Sequence, residues 1–165
     1  MGDESTTERS RDRGKSLRTE VPRSSHGDWK PAADRPDPVD LITAQDTDRL
    51  QFLVPIRHWR MSRSAFTFYR GSAAIMASDL AGSPVTGLSA QICGDAHLSN
   101  FGTFGSPERD LVFDVNDCDE TLPGPWEWDV KRLGASLAIA ARHKEFDSED
   151  ESGLPSIAAA SYRQA

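Results

Sequence analysis

Gly94-Asp95-Ala96-His97-Leu98-Ser99-Asn100, followed by the apolar run Leu111-Val112-Phe113 that closes on Asp114, decides how this chain is read. An aspartate, a carboxamide five residues later and an acid at the end of a short strand are the pieces that phosphoryl transfer needs. One group accepts or orients a hydroxyl proton, and two oxygen ligands hold the magnesium that bridges nucleotide phosphates. Gly94, directly after an apolar segment, permits a sharp turn that presents Asp95. Taken alone, Asp95 would equally serve as the cap of the turn that follows; with Asn100 and Asp114 placed as they are, it reads as the catalytic aspartate. Asn100 supplies a neutral carbonyl oxygen, and Asp114 emerges at a sheet edge as a metal ligand does. Asp117, three residues on, competes with Asp114 for that role.

Working outward, Leu88–Cys93 reads as a short strand feeding the loop. Phe101–Phe104 and Leu111–Phe113 form a hairpin around the Ser106-Pro107 turn. Pro123-Gly124-Pro125 breaks the chain, and Trp126 to about His143 is a helix with Val130, Leu133, Leu137 and Ala140 on its apolar face. The acids between Glu145 and Glu151 mark a solvated loop, and Ile157–Tyr162 begins a further helix with nothing to pack against. Upstream, Pro38–Leu53 forms a short helix, Phe66-Thr67-Phe68-Tyr69 is strand-like or buried, and Ser72–Ala81 is an amphipathic helix. Arg57, Arg60 and Arg63 recur every three residues and so share one helical side. They either clamp phosphates or form a solvated basic face. His97 lacks a second ligand at metal spacing and reads as a loop residue hydrogen-bonded to backbone. Asp129 and Arg132 are supporting groups or a surface pair.

The chain has 165 residues and a formal charge of -7. Residues 1–38 are rich in Arg, Ser, Thr, Asp and Pro and poor in aliphatics, and are expected to be a disordered arm; Gly14-Lys15-Ser16 within it fails as a phosphate loop because Arg9 stands where the motif needs glycine. Residues 39–165 are expected to form the folded part. Nine acids lie between residues 91 and 129 against Arg109 alone, a density that calls for cations or solvent. For Asp110, Glu120 and Glu127 the plainer reading is a solvated loop. An acidic chain is a poor nonspecific nucleic-acid binder. No apolar run approaches a membrane span. The start lacks the apolar core of a signal peptide, and two cysteines give no disulfide framework. The expected compartment is the cytoplasm.

Cys93–Gly102, Asn116-Asp117-Cys118-Asp119-Glu120 and Pro125-Trp126-Glu127-Trp128-Asp129-Val130-Lys131-Arg132-Leu133 together resemble an uncharacterised bacterial family known only as a domain of unknown function. Its members usually carry Phe at the position of Cys118 and continue past residue 165. More distantly, Gly94-Asp95-x-His97-x-x-Asn100 with Leu111–Asp114 is similar to the aminoglycoside and choline phosphotransferases of the kinase-like fold. That resemblance implies an α+β, partial protein-kinase-like domain truncated at its C-terminus, working with Mg2+ and ATP on an unknown small-molecule or protein acceptor. It makes Asp95 catalytic, with Asn100 and Asp114 as metal ligands. Two departures stand out: Cys93 replaces the usual His, and no Gly-rich loop or Val-Ala-x-Lys strand precedes the site. The lysines before Asp95 are Lys15 and Lys30, so an arginine, Arg70 or Arg57, would hold the phosphates. The truncated form is expected to be weak or inactive. The other readings are a noncatalytic pseudokinase-like nucleotide- or metal-binding module, or a metal-dependent hydrolase that activates water.

Overall fold

The computed structural model describes residues 4–164, and they form an α+β chain with two small antiparallel sheets. Helix α1 (Glu4–Glu20) is almost wholly exposed. Residues 1–38, expected as a disordered arm, thus contain a helix, and they are also tied to the body farther along. The Trp29 indole donates to the Asp79 carbonyl at 3.0 Å, and Arg35 grips both Asp79 carboxylate oxygens at 2.6 and 2.8 Å. A guanidinium fork meeting a carboxylate in two bonds fixes orientation as well as distance.

Helix α2 (Pro38–Asp46) starts where the sequence says it should, with Asp37 capping Val39 and Pro38 in the first turn. It ends earlier than expected, at Asp46. Helices α3 (Val54–Met61), α4 (Ala65–Arg70) and α5 (Ala73–Leu80) follow. The aromatic segment Phe66–Tyr69 is helical, not a strand. Ser64 and Thr67 form a reciprocal capping box, the Ser64 hydroxyl accepting from the Thr67 amide at 3.1 Å and the Thr67 hydroxyl from the Ser64 amide at 2.9 Å. Those two bonds start a helix that β propensity alone would oppose. Ile42, Met61 and Ile75 form a small buried cluster between α2, α3 and α5.

Strand β1 (Ser89–Ile92) does not pair with the hairpin that follows it. Strands β2 (Phe101–Gly105) and β3 (Leu111–Val115) form that hairpin, with Phe101 opposite Val115 and Gly105 opposite Leu111. β1 instead pairs with β4 (Leu122–Pro125), the Pro-Gly-Pro segment expected to break the chain. Gly124 sits close against Ile92 in this pairing: a Cβ there would lie 2.8 Å from the Ile92 Cδ1 methyl, and that side chain would have to shift.

Helix α6 (Trp126–His143) has the span read from the sequence, and helix α7 (Ser148–Gln164) packs along it. The acidic run expected as a loop is largely the first turn of α7, where acids favour the helix dipole. Tyr162 stacks on Trp126 with ring centroids 5.7 Å apart and planes 8° from parallel, and Pro155 packs over Gly134. The last helix therefore has a partner. Among the described residues no helix is long and apolar enough to cross a membrane. Replacing Tyr162 with Ala removes the stacked ring, and urea unfolding is expected to show a loss of about 1 kcal/mol.

Candidate functional site

Three of the four buried positions of α6 are polar or charged. Glu127, Arg132, Ser136 and Ala141 are buried, whereas Val130, Leu133, Leu137 and Ala140 are half-buried. The reason is that Asp129, Arg132 and Ser136, at helical spacings of three and four, lie on one stripe facing the 93–98 loop. The Asp129 carboxylate accepts from the Cys93 and Gly94 amides at 2.7 and 3.0 Å. The Arg132 Nε donates to Asp95 Oδ1 at 2.6 Å, and one of its terminal nitrogens pairs with the same oxygen. The Ser136 hydroxyl accepts from the Leu98 amide at 2.9 Å. Three side chains of one helix thus take three successive parts of the loop. Asp129 and Arg132 are not a surface pair; they shape the site.

Arg132 is 2% exposed and also donates to the Tyr69 carbonyl at 2.9 Å, beneath the Tyr69 ring. The Tyr69 hydroxyl returns a bond to the Arg132 carbonyl at 2.9 Å. Gly94 has φ of +80°, and a Cβ there would stand 2.2 Å from the Glu120 carbonyl oxygen. Only glycine fits both the conformation and the space.

Asn100 is buried, and its amide nitrogen donates to the Asp95 carbonyl at 2.8 Å, so its amide oxygen is turned away from that bond. His97 is 3% exposed; its Nδ1 accepts from the Ser99 amide at 3.1 Å, and its Nε2 lies 3.7 Å from Asp95 Oδ2. Burial, with the positive charges of Arg70 and Arg132, pushes His97 down to about 4, so at neutral pH this contact is not an ion pair. Burial raises Asp95 against the opposing pull of Arg132, and the nearby Asp117 charge raises it further.

The hairpin register separates the two candidate metal aspartates. With Phe101 opposite Val115, the residues just beyond β3 come alongside Asn100, and the Asn116 amide donates to the Asn100 carbonyl at 2.9 Å. Asp117 therefore joins Asp95, His97 and Asn100 in lining one cleft of about 900 Å³. Asp114 sits farther back, opposite Gly102, exposed and bonded to the Val115 amide at 2.7 Å; it does not line that cleft. The Cys93 thiol donates to the Asp117 carbonyl at 3.4 Å, and burial keeps it protonated by pushing it up to about 11.

Residues 49–165 match the model of a family of uncharacterized proteins conserved in bacteria (DUF2252). The chain belongs to that family. No curated protein and no solved structure matches it.

In this DUF2252 chain the cleft walls carry Arg49, Arg57, Arg60, Arg63 and Arg70 beside aliphatic side chains including Leu50, Leu53 and Val54. The arginines differ in freedom. Arg57 is tied to Asp46 at 3.2 Å and to the Gly71 carbonyl at 2.9 Å, and Arg63 lies over the Trp59 ring. Arg70 is exposed with no side-chain hydrogen bond or ion pair among the described residues, and its field reaches Asp95 and His97. Among the described residues no three His, Cys, Asp or Glu side chains gather as a metal cluster. The Asp117 carboxylate and the Asn100 amide oxygen, on residues that line the cleft, are oxygen donors of the kind a magnesium ion completed by phosphates and water could take. Glu127, expected in a solvated loop, is 3% exposed and accepts from the Thr86 amide and hydroxyl at 2.8 and 2.5 Å.

Replacing Arg132 with Met leaves the half-buried Asp95 without its cation, and urea unfolding is expected to show a loss of about 3 kcal/mol. Adding Asp95→Asn should restore part of it. His97 gives a pH signature. Its folded pKa lies below the ordinary 6.5, so between those values the unfolded chain binds the extra proton. Its contribution is complete above 6.5 and lost as pH falls toward about 4, amounting to about 3 kcal/mol. Urea midpoints at pH 7 and pH 5 should fall less in His97→Asn than in the parent; equal falls would show that His97 is not held neutral.

Proposed function

We propose that the chain carries the metal- and phosphate-binding part of a magnesium- and ATP-dependent phosphotransferase with a kinase-like arrangement. The observation that carries this reading is the convergence of Asp95, Asn100 and Asp117 on one cleft walled by arginines. Asp95 Oδ2, free of Arg132, orients the acceptor hydroxyl. Asn100 and Asp117 would hold magnesium, which when bound neutralises phosphate charge. Arg70 takes the place of the usual lysine on the phosphates, as a planar fork instead of a point charge. The barrier falls through positioning and charge neutralisation.

A second reading has specific support: one oxygen of Asp95 is doubly engaged by a buried arginine, and no lysine lines the cleft. Both fit a module that holds magnesium and nucleotide without transferring phosphate. ADP release with candidate acceptors separates the two, and phosphate release without any acceptor would point to the hydrolase.

The test of the shared site is thermal unfolding with and without magnesium-ATP. A ligand at 100 times its dissociation constant stabilises by about 2.7 kcal/mol. The shift is expected to require magnesium, to vanish in Asp117→Asn, to weaken in Arg70→Ala and to persist in Asp114→Asn. Loss in Asp114→Asn alone would transfer the metal role to Asp114, and no shift in the parent would reject nucleotide binding by this chain.

A further inference from the structure

The two cysteines flank Asp95 and Asp117, two of the acids that line the cleft. Cys93 stands two residues before Asp95, and Cys118 directly follows Asp117. The carbonyl that the Cys93 thiol touches at 3.4 Å is that of the Asp117–Cys118 peptide bond. Covalent geometry then puts the Cys93 sulfur within about 6 Å of the Cys118 Cα. Cys93 is buried, with its amide held by Asp129, whereas Cys118 is exposed on a loop. The loop side is the one able to move: Cys118 and its neighbours Asp117, Asp119 and Glu120 are all exposed along their length.

We propose that Cys93 and Cys118 form a reversible disulfide that swings the Asp117–Cys118 peptide and draws the Asp117 carboxylate out of the cleft. The oxidant is a hydroperoxide. Exposed Cys118 reacts first: its thiol takes one peroxide oxygen to become a sulfenic acid, and the other oxygen leaves as water or alcohol. The Cys93 sulfur then attacks the sulfenic sulfur. The S–S bond forms, the S–O bond breaks, and the hydroxyl leaves as water with the Cys93 proton. In total both thiols are oxidised by two electrons and one peroxide is reduced. Cys118 must turn inward to meet Cys93, and this rotates the peptide whose other side chain is Asp117. Closing the bond also abolishes the thiol's hydrogen bond to the Asp117 carbonyl, which helps to hold that loop in place. The consequence for nucleotide binding rests on the proposed function; the disulfide and the loop movement do not.

The experiment treats the whole chain with hydrogen peroxide, maps disulfides by mass spectrometry, and follows amide exchange and magnesium-ATP melting shifts before and after dithiothreitol. The expected result is a Cys93–Cys118 link, faster exchange at Asn116, whose amide is held by the Asn100 carbonyl, and a melting shift that disappears and returns on reduction. Cys118→Ser should keep its shift under peroxide. Failure of the link to form in the folded chain overturns the proposal, as does a formed link that leaves Asn116 exchange unchanged. If the reduced chain shows no magnesium-ATP shift, nucleotide binding fails instead, and the exchange result alone decides the disulfide.

Discussion

The arrangement depends on one buried contact, Arg132 against Asp95. Burying a guanidinium is costly unless its donors are met. Here they reach the carboxylate and the Tyr69 carbonyl, under the face of the Tyr69 ring. The same contact joins three parts of the chain: α6, the 94–100 loop and the end of α4, where Arg70 follows Tyr69. Such a pair adds little net stability over a well-packed apolar substitute, but it sets the orientation of an acid that would otherwise turn freely. One carboxylate oxygen is fixed, and the other is left facing His97 and the cleft.

This explains what the sequence reading of α6 got right and what it missed. The span of the helix was legible because apolar positions recur at helical spacing and basic residues close the end. Its buried face was not, because periodicity ranks residues by hydropathy and the side pressed against the loop is Asp129, Arg132 and Ser136. The spacing of those three was available as a signal. The same limit applied to Glu127, whose acidity suggested solvent but whose hydrogen bonds to Thr86 come from 41 residues away. Long-range partners leave no local mark.

Around the site, local chemistry was the better guide where it could act alone. Gly94 as a turn glycine, His97 as a loop residue bonded to backbone, and the β2–β3 hairpin all followed from neighbours in sequence. Asp117 over Asp114 as a cleft-lining residue required the pairing register, since a difference of three positions beside a strand changes which side chain reaches the cleft. The capping box of α4 outweighed its aromatic, β-prone composition. The Pro-Gly-Pro strand looked like a break because its partner, β1, lies far upstream, across the whole of the site loop and the hairpin.

That strand has a consequence for how the molecule ends its sheet. Amides along a strand point alternately to its two edges, and a proline contributes none. Pro123 and Pro125 share one edge, so amide donors to β1 must come from Leu122 and Gly124. The outward edge of β4 therefore carries carbonyl acceptors and no donors at those two positions. An approaching strand would find only half of the bonding pattern it needs, and the pair is closed to growth on that side.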